Sequence, residues 1–72
     1  MSIQELARYY LAQGQTLRAA GLMIKVVETE PTPENLELLA GVFLQQGLFD
    51  DAAGLYLQVV KAGINAKQKN GS

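Results

Sequence analysis

The sequence predicts an all-α fold: four antiparallel helices built as two helix–turn–helix repeats. Three observations predict it. First, the chain matches itself when displaced by 33 residues. Over residues 3–30 against 36–63, eleven positions are identical, from Leu6/Leu39 and Ala7/Ala40 through Gly14/Gly47 to Val26/Val59 and Val27/Val60. About two would arise by chance at one offset in such a composition. Second, apolar residues recur at spacings of three and four in four windows, the period of an amphipathic helix. Third, Gly and Pro punctuate the chain between those windows, where a helix has to stop.

Each element follows from its own residues. Ile3, Leu6, Ala7, Tyr10 and Leu11 form the stripe of the first helix. Ser2 followed by Glu5 fits a capping box at its start. Gly14 ends it, since Gly takes the left-handed conformation without a Cβ penalty. The second helix is expected over about Leu17–Thr29, with Thr16 as its cap and Ala20, Met23, Ile24 and Val27 along one face. Glu30-Pro31-Thr32-Pro33 must break the chain, because proline lacks a donor and restricts the residue before it. Thr32 then caps the third helix, with Pro33 at its first position. Leu36, Leu39, Ala40, Phe43 and Leu44 form its stripe, and Gln46-Gly47 ends it. Asp50 and Asp51 suit the start of the fourth helix by capping and through its dipole. That helix carries Ala53, Tyr56, Leu57 and Val60 as its stripe and is expected to close at Gly63. Gly21 and Gly54 sit mid-helix, where each costs ~1 kcal/mol against Ala; that cost points either to close packing or to tolerated neutral positions. The domain therefore spans residues 1–64, with repeats over about 2–32 and 33–64. Residues 65–72 are polar and aperiodic and are expected to form a disordered tail.

The spacing within each repeat resembles the tetratricopeptide pattern, W-x2-L-G-x2-Y, then A-x3-F, then P. The first repeat reads Ile3-x2-Leu6-Ala7-x2-Tyr10, then Ala19-x3-Met23, then Pro31. The second reads Leu36-x2-Leu39-Ala40-x2-Phe43, then Ala52-x3-Tyr56. Both Trp positions are aliphatic here, the small Gly is Ala, and Ile64 stands where the second closing Pro would fall. The resemblance implies an α-solenoid fragment of two stacked repeats. It also implies a concave face supplied by the first helix of each repeat, on which a partner segment would lie. Small residues at Ala7, Ala19, Ala40 and Ala52 would let the helices of each hairpin approach closely, and Tyr10, Met23, Phe43 and Tyr56 would fill the space between neighbours.

Composition removes most chemistry. The 72 residues include no Cys and no His and carry a formal net charge of -1. Disulfides, thiolate metal sites and the commonest general base are thereby absent. Near-neutral charge gives no footprint for nucleic acid or an anionic membrane, and Lys67 and Lys69 are too few to anchor one. Tyr9 and Tyr10 without a basic patch make a poor stacking platform. Asp50 and Asp51 diverge on a helix and have no third ligand near them in sequence. Glu28, Glu30, Glu34 and Glu37 read as a solvated acidic edge. No metal, cofactor or catalytic residue is expected, and the chain is not expected to be an enzyme. No stretch of 18 or more apolar residues occurs, and the N-terminus does not read as a secretory signal, so a cytoplasmic protein is expected.

The expected function is a non-catalytic protein–protein interaction module, a scaffold or chaperone-like adaptor. It would bind an apolar or helical segment of a protein or peptide partner in the concave groove. The contacts would come from Arg8 and Leu11 of the first repeat and from Glu37, Leu38, Leu44 and Gln45 of the second. The same leucines would also suit ordinary core packing. A clamp for a peptide's terminal carboxylate is not expected, because Arg8 is the only cation on this face and Gly41 occupies its matching position. The alternative is a self-assembling structural repeat fragment of a larger protein. About three repeats are normally needed to close such a stack. An apolar end is therefore expected on the fourth helix around Leu55, Leu57 and Val59, and self-association is expected to cover it.

Overall fold

Ser2 begins the fold. Its Oγ accepts a hydrogen bond from the Glu5 N–H at 3.1 Å, and the Glu5 carboxylate accepts one from the Ser2 N–H at 3.2 Å. This reciprocal capping box starts α1 (Ile3–Ala12). The chain then forms α2 (Thr16–Thr29), α3 (Pro33–Gln45) and α4 (Phe49–Gly71). The computed structural model describes the backbone of residues 1–71 and side chains through Gly63. Among the described residues there is no strand. The fold is all-α, with two helical hairpins, α1–α2 and α3–α4, as the sequence predicts.

The two hairpin turns share one hydrogen-bond pattern. Gly14 and Gly47 take φ of 77° and 78°. The Gly14 N–H donates to the Leu11 carbonyl at 3.0 Å and the Gln15 N–H to the Tyr10 carbonyl at 2.8 Å. In the second repeat, Gly47 donates to Leu44 at 3.0 Å and Leu48 to Phe43 at 2.9 Å. These are Schellman turns, which satisfy the last carbonyls of a helix and need a residue in the left-handed region. In the first repeat the turn is so short that the cap position of α2 falls on Gln15, which makes no side-chain capping bond. Thr16, expected as the cap, is the first residue of the helix instead.

The link between hairpins is also set locally. The Glu30 N–H donates to the Val26 carbonyl at 2.7 Å and ends α2, and the Thr32 N–H donates back to the Glu30 carbonyl at 2.8 Å across Pro31. Thr32 Oγ1 accepts from the Asn35 N–H at 3.2 Å, with Pro33 at the first helical position. Asp50 and Asp51 lie in the first turn of α4, where carboxylates meet the positive end of the helix dipole. Gly63 does not close α4, which continues to Gly71. The backbone expected to be a tail is therefore helical through Gly71; its side chains and Ser72 lie outside the described residues.

The core runs along the hairpin seams. Ala7, Ala19, Ala40 and Ala52 are all buried, and Met23 and Val42 are the largest side chains fully enclosed. Tyr10, Leu11, Leu22, Val27, Leu38, Phe43 and Val59 pack around this core half-buried. The Arg18 guanidinium lies 5.8 Å from the Tyr10 ring centroid, a cation–π cover on its outer side. Two expected stripes are displaced. On α2 the buried set is Ala19, Ala20, Met23 and Val26, and Ile24 faces solvent. On α4 the core takes Ala52 and Leu55, with Val59 beside them, whereas Ala53, Tyr56, Leu57 and Val60 are exposed. Phe43 and Met23 fill space between neighbours, but Tyr56 does not.

Four of the glycines fall into two classes that substitution can tell apart. A Cβ added at Gly14, Gly47, Gly21 or Gly54 would meet nothing within 4 Å. The close packing considered for Gly21 and Gly54 is therefore not what they serve. At Gly14 and Gly47 the cost of a side chain is the left-handed backbone alone, so Gly14→Ala and Gly47→Ala should each destabilise by about 1–2 kcal/mol. At Gly21 and Gly54 the backbone is ordinary helix, so Ala should stabilise by roughly 0.5–1 kcal/mol. Urea midpoints of the four variants check this; a destabilised Gly21→Ala or a neutral Gly47→Ala would contradict it.

Candidate functional site

At the boundary between the repeats, one buried polar residue bonds to both α1 and the end of α2. Asn35 opens α3 and is only 5% exposed. Its Nδ2 donates to the Glu30 carbonyl at 2.9 Å, which ties α3 to the end of α2. Its Oδ1 accepts from Gln4 Nε2 at 3.4 Å, which ties α3 to α1. One side chain thus joins three elements at the repeat boundary.

Beside this tie, α1 and α3 form an open depression of about 290 Å³, lined by Arg8, Glu34, Glu37 and Leu38. The structure therefore brings together three of the six residues that the sequence points to, Arg8, Glu37 and Leu38, from two different helices. Leu11 is half-buried and packed against the core. Leu44 and Gln45 are exposed at the far end of α3 and line a different part of the face. Leu38 serves both roles weighed for the leucines, since it packs against the core and lines the depression.

Two residues of the site are not apparent from residue type alone. Glu34 reads as part of an acidic edge at the link, but it precedes Glu37 by three and Leu38 by four. On a helix that spacing puts all of them on one face. Asn35 gives no periodic signal, because its importance comes from burial against a carbonyl that the link delivers. Larger hollows lie elsewhere. One of about 430 Å³ follows the seam from Ile3 and Gln4 to Val26, Thr29 and Glu30. Another of about 350 Å³ lies on the outer side around Tyr10, Leu17, Arg18 and Gly21. Both are open and mainly aliphatic at their walls, and neither contains a paired set of acidic groups.

The chemistry available in the depression is simple. One guanidinium, two carboxylates and one leucine face a common space. They can bury an apolar side chain and form charge-assisted hydrogen bonds around it. Among the described residues no group of three or more Asp or Glu could hold a metal ion, and no helix is long and apolar enough to cross a membrane. No family model, curated protein or solved structure matches the chain.

Asn35 offers a direct test of this arrangement. Asn35→Ala removes the bond to the Glu30 carbonyl, which keeps only the Thr32 N–H, together with the tie to Gln4, and it empties a buried site, so it should destabilise by about 1–2 kcal/mol. Gln4→Ala removes only the longer, weaker bond and should cost under about 1 kcal/mol. Equal costs for the two variants in chemical denaturation would show that the tie to Glu30 is not the stronger one.

Proposed function

We infer that the chain is a non-catalytic protein–protein interaction module of tetratricopeptide type, a scaffold or chaperone-like adaptor. It holds an apolar or helical segment of a partner on the face made by α1 and α3. One observation carries this reading: Arg8, Glu37 and Leu38, from two repeats, line one open depression. A partner side chain of apolar character would sit on Leu38. A basic group next to it on the partner would meet Glu34 and Glu37, and an acidic one would meet Arg8. Leu44 and Gln45 would extend the contact along α3. The tetratricopeptide assignment rests on the spacing of the two repeats and on the two hairpins they form. Neither His nor Cys is available as a nucleophile or base, and a reducing, cytoplasmic setting suits a chain without disulfides.

A second reading is favoured by a separate observation. The outer face of α4 is apolar and uncovered, with Phe49, Tyr56, Leu57 and Val60 all exposed. On this reading the chain is a self-assembling structural repeat unit.

Selection from a display library of helical peptides tests the first reading. Enriched peptides should carry an apolar anchor flanked by charge. Their affinity should fall by about 5–30-fold on Arg8→Glu, Glu37→Lys or Leu44→Glu, in line with a loss of 1–2 kcal/mol at each contact. All three positions are exposed, so circular dichroism should show unchanged helicity. Peptides that bind every variant equally would place the binding site off this face.

A further inference from the structure

The two repeats have the same sequence pattern in different surroundings, and the difference between them shows what each end of the molecule lacks. On α2, Ala20 and Met23 are buried, Met23 completely, and Val27 is half-buried. Their counterparts 33 residues on are Ala53, Tyr56 and Val60 of α4. Tyr56 is 39% exposed and Val60 56%. The neighbour that α2 has and α4 lacks is a following first helix, α3. The converse holds at the other end. On α3, Leu36 is 2% exposed and Val42 0%, whereas their counterparts on α1, Ile3 and Tyr9, are 51% and 54% exposed. The neighbour that α3 has and α1 lacks is a preceding second helix, α2.

The two open faces are therefore the two halves of a junction the chain already makes once. We propose that copies of this chain stack head to tail, with α1 of one copy docking on α4 of the next as α3 docks on α2. The occupant of the α4 face is a second copy because the matching half stands open on the same molecule, with Ile3 and Tyr9 exposed and Leu6 half-buried between them. This proposal deepens the self-assembly reading and is independent of the groove.

The copy is not identical to the original, and its differences set its strength. Ser2 stands where α3 has Asn35, so the intermolecular junction lacks the buried amide. Tyr9 replaces Val42 and Tyr56 replaces Met23, adding aromatic surface on both sides. The three-residue link also makes the α2–α3 contact intramolecular, at an effective concentration on the order of millimolar. Without it, association between copies is weak, in the range of about 10 μM to 1 mM. A head-to-tail contact is heterologous. It therefore grows into chains, or closes into a ring, and does not stop at a symmetric dimer.

That polarity gives a decisive experiment. Two variants each block one face: Ile3→Glu with Tyr9→Glu at the head, and Tyr56→Glu with Val60→Glu at the tail. All four positions are more than a third exposed, so both variants should keep their helicity. If either loses it, Tyr9→Glu or Val60→Glu alone takes its place. Sedimentation velocity on the full chain, across the concentration range above, should give a mass that rises past the dimer. Each variant alone should stay monomeric. An equimolar mixture should form a one-to-one dimer, because the head-blocked chain keeps its tail and the tail-blocked chain keeps its head. A full chain that stays monomeric throughout overturns the proposal. So does a head-blocked variant that still dimerises, which would mean tail-to-tail pairing, or a tail-blocked one that does. Peptide binding in the groove should be unchanged in both variants, so this failure and that of the groove reading are separable.

Discussion

The close approach of helices at four alanines governs the rest of the fold. Ala7 and Ala19 lie in the first hairpin, Ala40 and Ala52 in the second, and each is buried to the last atom or nearly so. A methyl side chain fits where two helix backbones approach closely, and a larger one there would force them apart. The alanines match at an interval of 33 residues, so the same constraint is imposed twice. The larger core residues can vary in shape around it, as Met23 and Val42 do, since they occupy space that the alanines have already defined.

Much of this was legible in sequence because it depends on local chemistry. Ser2 with Glu5, Thr32 with Pro33, and the two left-handed glycines act within a few residues of themselves. The breaks at Gly14, Glu30–Thr32 and Gly47 therefore fall where residue type puts them. What failed to read was the choice of face on α2 and α4. Both helices carry apolar residues on two adjoining stripes. One stripe, Ala19 and Val26 or Ala52 and Val59, packs within its own hairpin. The other, Ala20, Met23 and Val27 or Ala53, Tyr56 and Val60, is offered to the next repeat. Periodicity finds apolar residues but not the element that will cover them. The stripe read on α4 was the second one, and nothing docks there among the described residues. Gly63 failed as a stop for a different reason: a glycine in ordinary helical conformation weakens a helix by ~1 kcal/mol without ending it, and the glycines that end helices here are the left-handed ones, Gly14 and Gly47.

The candidate site was legible to the extent that it depends on helical spacing. Arg8, Glu37 and Leu38 meet because α1 and α3 lie alongside each other, which the repeat implies. Glu34 joins them by the same spacing and was hidden by its position next to the prolines. Leu11 shows the limit of the method. It matches Leu44 in the repeat, yet it is half-buried where Leu44 is exposed, so equal sequence positions do not have equal access. Asn35 depends on tertiary structure most of all, since its partners are five and thirty-one residues away and one of them is a backbone carbonyl.

The groove and the open ends are different surfaces of the same helices, and stacking would connect them. The depression forms wherever a first helix lies beside the first helix of the following repeat. In a head-to-tail stack that juxtaposition recurs between α3 of one copy and α1 of the next. By the 33-residue correspondence, Gly41 would then take the place of Arg8, and Met1, Gln4 and Glu5 the places of Glu34, Glu37 and Leu38. There the side chains of Arg8 and the two glutamates give way to a single carboxylate, Glu5, so two kinds of groove with different charge would alternate along the face. A partner with basic and apolar residues in alternation would match that surface over several copies. The weak contact between copies and a weak contact at each groove would then reinforce one another, because binding at one groove raises the effective concentration at the next.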